Sequence, residues 1–292
     1  MNSMRKSRAI TLLASIALLA VTAHAAPPKY DAVYVFGDSL CDVGNLSLST
    51  DGLVPASPPY YKCRFSNGPI WVEHFAGALG LTLKASLAGG TDFAVGGAMV
   101  TAPVETILGT IPDVGQQVSG YLAKHGGKAD PRALYIVEGG GNDILDTTGT
   151  SEAAAKALGA EIATDLSDSV TLLRRAGATH FLVPNLLNVG RTPAAAAFRK
   201  FASEAAVAAN NSLRELLGAE PDVVLLNQYT ELEALFTDPS HFGFSNVTTQ
   251  CLNTTTNKVC ADSDHTLFWD DVHPSEFGHS LLAVNALAAL VQ

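Results

Sequence analysis

Four short apolar runs recur along the chain, and they constrain its fold more than any other feature. They lie at residues 31–36, 133–137, 181–183 and 223–226. Apolar residues that follow one another without polar alternation are typical of strands buried on both faces of a sheet. Stretches with helix-like composition lie between the runs or next to them, at 69–79, 151–176 and 193–217. Strands alternating with helices predict a parallel sheet that is covered on both sides.

The final segment is predicted to be a helix that begins at His273-Pro274, because proline suits the first helical position. Its apolar residues at 277, 281, 284, 288 and 291 fall near one helical face, which should pack on the sheet. Two long stretches, 49–69 and 237–269, fit neither helix nor strand. Loops of that length are commonly functional.

The N-terminus has the pattern of a secretory signal peptide. Residues 1–25 hold three basic residues, then an apolar run at 9–21, then Ala-His-Ala. The run is shorter than the ~20 residues of a transmembrane helix, although a retained anchor remains the alternative. We therefore expect cleavage after residue 25, a secreted or periplasmic protein, and a single domain over residues 26–292.

The chain is acidic, with 18 basic and 28 acidic residues and a net charge of −10. Because three basic residues and no acidic one leave with the signal peptide, the net charge of the mature chain becomes −13. Such a surface binds nucleic acid poorly and disfavours adhesion to anionic lipid.

Four cysteines in an exported chain predict two disulfides, and three connectivities are possible. Cys251 and Cys260 bracket a polar loop of the kind found in a short hairpin tied at its base. That pairing leaves Cys41 with Cys63.

Reactive side chains follow the predicted strands. Gly-Asp-Ser at 37–39 follows the first run, Glu-Gly-Gly-Gly-Asn-Asp at 138–143 follows the second, and Asp-Asp-Val-His at 270–273 comes before the last helix. Ligands of open parallel sheets bind at the carboxyl ends of the strands. These three segments are therefore predicted to meet at one site.

The residue types in these segments suit acyl transfer. A serine hydroxyl such as that of Ser39 is a weak nucleophile until a base removes its proton, and the imidazole of His273 suits that task. Asp270, three residues before the histidine, can reach its far ring nitrogen and orient it, whereas Asp271 should point elsewhere. The Ser39 backbone N–H, the Asn142 amide and a backbone N–H of the glycine turn at 93–97 could stabilise an oxyanion.

Together these segments resemble the GDSL, or SGNH, family of serine esterases and lipases. Residues 36–45 look like its first block, 94–98 like its second, 140–143 like its third and 270–274 like its last. The resemblance implies Ser39 as nucleophile, His273 as base, Asp270 as orienting acid, and Ser39, Gly97 (with Gly96 as the less favoured register) and Asn142 as oxyanion donors.

Two further segments, 64–73 and 241–270, resemble the secreted phospholipase, lecithinase and haemolysin branch of that family. The resemblance implies a three-layer α/β/α sandwich with a flavodoxin-like parallel sheet of about five strands. It also implies ester hydrolysis without a metal or organic cofactor, on a small-molecule or lipid ester, with transient contact at a lipid interface. Cys41 departs from the family pattern, in which serine is expected at that position.

Three other interpretations compete with this one. Asp38, Asp42, Asp143, Asp270 and His273 could bind a divalent ion for phosphoester hydrolysis, although Leu40 stands where a nucleophilic-aspartate phosphatase would place its second aspartate. A binding module without catalysis could hold a glycan or lipid on the following aromatic side chains: Tyr60, Tyr61, Phe65, Trp71, Phe242 and Phe244. Cys41 could replace Ser39 as nucleophile, although export and its position two residues beyond the turn disfavour this.

Overall fold

The computed structural model of the protein describes residues 29–147 and 149–291. The predicted signal peptide at 1–25 lies outside the described residues. Within these ranges, no helix combines the length and the apolar character needed to cross a membrane.

A four-stranded parallel sheet forms the centre of the fold. Its strands, in spatial order, are β1 (Val33–Phe36), β4 (Leu134–Val137), β5 (Phe181–Pro184) and β6 (Val223–Leu226). They coincide with the four apolar runs. On the free side of β1, residues 91–95 run parallel to it and exchange backbone hydrogen bonds with Val35 and Gly37. This segment occupies the place of the fifth predicted strand, although only a single bridge forms there.

Helices cover both faces of the sheet, as predicted. One layer contains α3 (Val114–Lys124), α5 (Glu152–Arg175) and α6 (Arg199–Leu217), and the other contains α2 (Trp71–Ala78) and α8 (Glu276–Ala289). Alternate strand residues divide between the layers, since Phe36 and Val137 pack with the first and Val35 and Ile136 with the second. The predicted three-layer α/β/α sandwich is confirmed.

Shorter elements lie in the connections. The helices are α1 (Asn45–Ser49), α4 (Gly141–Leu145) and α7 (Gln228–Thr237), with 3-10 turns at Ser86–Ala88, Val189–Arg191, Ala194–Ala197, Pro239–Phe242 and Ser263–His265. The strands are β2 (Val104–Thr106), β3 (Gly109–Ile111), β7 (Asn246–Gln250), β8 (Leu252–Asn253), β9 (Lys258–Val259) and β10 (Thr266–Phe268). β2 with β3 and β8 with β9 form antiparallel hairpins, and β7 pairs with β10 in parallel.

The predicted start and buried face of the last helix were wrong. Pro274 forms an antiparallel bridge with Phe268, so α8 begins only at Glu276. Val284, predicted to face the sheet, is 62% exposed, and the buried face includes Leu282 and Ala286. The bridge holds Pro274 beside β10, which delays the helix by about one half-turn. The helix is also apolar at Leu282, Ala283 and Ala286, and this second apolar face is the buried one.

Candidate active site

Three loops from distant parts of the chain meet at the carboxyl edge of the sheet. The turn after β1 carries Ser39, the turn after β4 carries Asn142, and the segment after β10 carries Asp270 and His273. Ser39 and Asn142 line the same apolar-walled cavity at this edge. The predicted meeting of the three segments is therefore found in the structure.

Ser39, His273 and Asp270 are joined in a continuous hydrogen-bonded row. His273 Nδ1 lies 2.8 Å from Asp270 Oδ2, and His273 Nε2 lies 2.7 Å from Ser39 Oγ. An ionised carboxylate can only accept, so Nδ1 carries the proton and Nε2 accepts from the serine hydroxyl. The arrangement allows the imidazole to remove the hydroxyl proton as the oxygen attacks a carbonyl carbon.

The segment from Asp270 to His273 is held by its own backbone. Asp270 Oδ1 accepts the N–H groups of Val272 and His273, at 2.9 and 2.7 Å, and the Trp269 N–H donates to the His273 carbonyl. Burial alone would raise the pKa of Asp270. The charge of His273 and these hydrogen bonds outweigh burial and lower the pKa of Asp270 to about 2. Burial alone would lower the pKa of His273. The surrounding carboxylates outweigh burial and raise the pKa of His273 above its ordinary 6.5, and Asp270 has the largest effect among them.

The turn that carries Ser39 is fixed by buried side chains. Asp38 Oδ1 accepts the Leu40 N–H, and the Asp38 carbonyl accepts the N–H groups of Cys41 and Asp42. From α3, Gln117 both accepts the Gly37 N–H and donates to the Gly37 carbonyl, each at 2.9 Å. These bonds satisfy the end of β1 and set the direction in which the chain leaves the sheet.

Two backbone N–H groups remain free beside the serine. Within residues 29–147 and 149–291, neither Ser39 N–H nor Gly97 N–H has a hydrogen-bond partner. The Gly96 N–H, by contrast, donates to Asp42 Oδ2 at 2.9 Å. Of the two glycines, Gly97 is thus the one whose N–H is available to an oxyanion, which agrees with the favoured register.

Asn142 lies on the other side of the serine turn. Its Nδ2 donates to the Ala98 carbonyl at 2.9 Å and makes a longer contact of 3.4 Å with Asp38 Oδ2. The first bond fixes the amide, while the second is weak enough for that N–H to turn to a ligand oxygen.

Asp42 and Asn45 connect the serine turn to the glycine turn. Asp42 accepts the N–H groups of Gly44, Asn45 and Leu46 at the start of α1, as well as that of Gly96. The Asn45 amide donates to the carbonyls of residues 92 and 94. Asp42 thus caps the start of α1, and Asn45 holds the 91–95 segment against this helix.

A second buried carboxylate, Glu138, lies beneath the serine turn. Its Oε2 is 3.5 Å from the Asp38 N–H and 3.5 Å from the Cys41 sulfur. Burial, followed by the charge of Asp38, raises the pKa of Glu138 well above its ordinary value, and burial also raises the pKa of Asp38. Burial thus disfavours a negative charge on either carboxyl group below Ser39.

One of the two predicted disulfides is present. Cys251 and Cys260 are bonded, with a Cα–Cα distance of 4.7 Å, at the base of the β8–β9 hairpin, which confirms that pairing. The Cys41–Cys63 pairing was wrong, since both thiols are free. Cys41 is wholly buried in the core between the sheet and α2, with its sulfur directed at Glu138, whereas Cys63 is half-buried in the 50–69 loop.

The buried environment of Cys41 also bears on its proposed nucleophilic role. Burial, followed by the charge of Glu138, raises the pKa of the Cys41 thiol well above its ordinary value. A thiol that retains its proton is a poor nucleophile.

The residues of the metal interpretation do not form one cluster. The Asp42 carboxylate already accepts backbone N–H groups, including that of Gly96. The Asp143 carboxylate accepts the N–H groups of Val100 and Thr101. Across the described ranges, no three histidine, cysteine or acidic side chains lie close enough together to hold a metal ion.

The aromatic residues of the binding-module interpretation do not form one surface. Trp71 and Phe244 are buried in two different cores. Tyr60 and Phe65 instead touch the segment that carries Asp270 and His273.

Sequence reasoning missed the parts played by Gln117 and Tyr60. The signal for Gln117 was present, because it is a polar residue among the buried apolar positions of α3. Tyr60 lies 210 positions from Asp270, whose carboxylate its hydroxyl contacts, and no local pattern marks that contact.

Known proteins match this chain over most of its length. Residues 33–285 match the family model of GDSL-like lipases and acylhydrolases. A phosphatidylcholine-sterol acyltransferase of Aeromonas hydrophila is 29% identical over 81% of this chain and 70% of its own length. A thermolabile hemolysin of Vibrio parahaemolyticus is 26% identical over 89% of this chain and 64% of its own.

An acetylxylan esterase structure from Geobacillus stearothermophilus superimposes with a TM-score of 0.49 and 13% identity, over 90% of this chain and 95% of that one. Other relatives are longer than this chain, since the match spans only 51% of the length of one relative and 25% of the length of another. The match to the family model extends over nearly all the described residues and includes every segment of the candidate site. The chain therefore belongs to the GDSL-like lipase/acylhydrolase family and is a carboxylic ester hydrolase of the serine type.

Proposed function

We propose that the chain hydrolyses carboxylic esters through an acyl-enzyme on Ser39. The observation that carries this proposal is the row of Ser39, His273 and Asp270, joined at 2.7 and 2.8 Å. These contacts lie within the distance over which a base takes a proton from a nucleophile and an acid orients the base.

In the proposed reaction, Ser39 Oγ attacks the ester carbonyl while His273 Nε2 takes its proton. The oxyanion is held by the N–H groups of Ser39 and Gly97 and by the Asn142 amide. His273 then protonates the departing alkoxide, and a water molecule activated by the same imidazole hydrolyses the acyl-enzyme. Asp270 keeps the proton on Nδ1 and stabilises the imidazolium in both steps.

The apolar cavity beside Ser39 supports a substrate whose acyl group is apolar and binds there. Its walls combine the turns after β1 and β4, the loop after β5, and residues of α4, α7, α8 and β10 with the segment that follows β10. The apolar lining residues are Leu40, Leu145, Leu186, Leu187, Val189, Leu232, Leu267, Phe268, Val272, Pro274 and Leu282. Moving an acyl chain from water into such a lining stabilises the bound ester by about 0.8 kcal/mol per buried CH₂.

A series of p-nitrophenyl esters of increasing acyl length tests this proposal. We expect kcat/KM to rise from acetate to longer acyl groups, and we expect Leu232→Trp, which narrows the cavity, to shift the optimum to shorter chains. Leu216→Trp on the exposed face of α6 serves as the matched control. A preference for acetate that Leu232→Trp leaves unchanged would contradict the assignment of the cavity.

The tip of the β2–β3 hairpin supports contact with a lipid surface. Ile107 is fully exposed and Leu108 is 46% exposed, while Ile111 of the same hairpin lies against Gly97. An apolar tip on a hairpin whose base lies against Gly97 would bring a lipid ester towards Ser39. The net negative charge favours uncharged or zwitterionic lipid over anionic lipid. The Aeromonas relative, named as a phosphatidylcholine-sterol acyltransferase, supports a lipid ester and leaves acyl transfer as a second outcome.

Export and domain organisation are part of the same proposal: a signal peptide at 1–25 and one domain over 26–292, secreted or periplasmic. The Cys251–Cys260 disulfide supports an oxidising compartment. N-terminal sequencing of protein recovered outside the cytoplasm should begin at Ala26, and a chain that stays in the cytoplasm with Met1 intact would contradict export.

A further inference from the structure

The 60–67 segment lies against the segment that carries the acid and the base. Tyr60 contacts Asp270, Phe65 contacts His273, Ser66 Oγ donates to the Pro274 carbonyl, and Asn67 Oδ1 accepts the Glu276 N–H. We propose that Tyr60 is a positioning residue, whose hydroxyl holds the Asp270 carboxylate and sets the basicity of His273. This inference rests on the proposed hydrolysis at Ser39.

The first observation is the hydrogen bond itself. The Tyr60 hydroxyl donates to Asp270 Oδ2 at 2.7 Å. Oδ1 of the same carboxylate accepts the backbone N–H groups of Val272 and His273, and both oxygens face His273 Nδ1. The phenol is therefore the one donor to Asp270, among the residues the structure describes, that comes from outside the 270–273 turn.

The second observation is that the Tyr60 ring is fixed. It meets the rings of Trp269 and Phe65 edge to face, at 6.4 and 6.0 Å between centroids. It also packs against the cluster formed by Leu252 and the Cys251–Cys260 disulfide. Burial and the neighbouring Asp270 charge raise the pKa of the phenol, so it remains a neutral donor over the working pH range.

The third observation is that the same segment covers His273. The Phe65 ring lies 4.9 Å from the imidazole centroid, inclined by 34°. The same ring also lies against Gly96, where an added Cβ would come within 2.3 Å of the Phe65 ring. Phe65 thus fills the space between the glycine turn and the base, and the imidazole is 13% exposed.

These contacts predict how the base responds when the phenol is removed. A hydrogen bond to a carboxylate disperses its charge, so an Asp270 that loses the Tyr60 donor attracts the imidazolium of His273 more strongly and raises the pKa of His273. Asp38, Asp271 and His279 also interact electrostatically with His273, and Tyr60→Phe leaves all three residues in place.

The test compares Tyr60→Phe with Tyr61→Phe, a control that removes the neighbouring hydroxyl. The kcat/KM of a p-nitrophenyl ester is measured against pH, and thermal melting checks the fold. In Tyr60→Phe we expect the acid-limb midpoint to rise by about half a pH unit or more, with the alkaline plateau within about threefold of the wild type. A wild-type midpoint in Tyr60→Phe, or an equal rise in Tyr61→Phe, would overturn the inference.

A second measurement separates this inference from the proposed function. NMR titration of histidine-labelled protein follows the protonation of His273 without any turnover, and His273→Asn assigns the resonance. An upward shift of that titration in Tyr60→Phe supports the inference even if no ester is hydrolysed, whereas an unchanged titration overturns it. Absence of ester hydrolysis by the wild type would count against the proposed function alone.

Discussion

At the scale of single residues, the neighbouring glycines Gly96 and Gly97 have different structural roles. Gly96 has no Cβ, which allows the Phe65 ring to approach, and its N–H is bonded to Asp42. Gly97 adopts a φ of +80°, a conformation that favours glycine, and its N–H is free within the described residues. Gly96 therefore makes room for the Phe65 ring that covers His273, and Gly97 provides one proposed oxyanion donor.

Asn142 provides the residue-scale prediction. If its amide holds the oxyanion, Asn142→Ala should lower kcat by about a hundredfold with little change in KM, because the contact strengthens only in the transition state. Steady-state kinetics on a p-nitrophenyl ester measure this. Asn211→Ala, on the exposed face of α6, is the control. Near-normal kcat in Asn142→Ala would remove Asn142 from the oxyanion site.

Residues that lie in short motifs at strand ends could be predicted from the sequence, and the structure brings Ser39, Asn142, Asp270 and His273 together. Contacts between distant loops could not, since Tyr60 reaches Asp270 across 210 positions. Cys41 was misjudged because counting cysteines does not reveal which way a side chain points.

At the scale of elements, the four sheet strands could be predicted because strands buried on both faces are continuous apolar runs. Short exposed strands lack such a run. The β2–β3 hairpin has only partly buried or exposed residues, so the sequence did not indicate it. The last helix was displaced because the Phe268–Pro274 bridge holds the chain extended where local preference favours a helical first turn.

The hairpin carries the element-scale prediction. Wild-type protein should sediment with phosphatidylcholine vesicles, and the double change Ile107→Ser, Leu108→Ser should lower the bound fraction several-fold, because apolar side chains at the tip lose their burial in lipid. Hydrolysis of a soluble p-nitrophenyl ester should be unchanged.

Val207→Ser with Leu216→Ser, two exposed apolar residues of α6, is the matched control. Equal sedimentation of the hairpin variant and the wild type, or no binding by either, would contradict the lipid-contact proposal.

At the scale of the whole molecule, the parallel sheet explains why the site could be located before the structure was known. Every strand of the central sheet runs in the same direction, so loops from residues 37, 138 and 185 onwards leave at one edge. The substrate could not be predicted, because the cavity walls come from five separate segments whose arrangement depends on packing between layers.

Covalent labelling by a serine-directed p-nitrophenyl phosphonate tests the central claim most directly. Intact-mass measurement followed by peptide mapping should show one phosphonyl group per chain, located on Ser39, and His273→Ala should slow its attachment by several orders of magnitude because the hydroxyl keeps its proton. Labelling of Cys41, labelling that persists in Ser39→Ala, or no labelling of active wild-type protein would contradict Ser39 as the nucleophile.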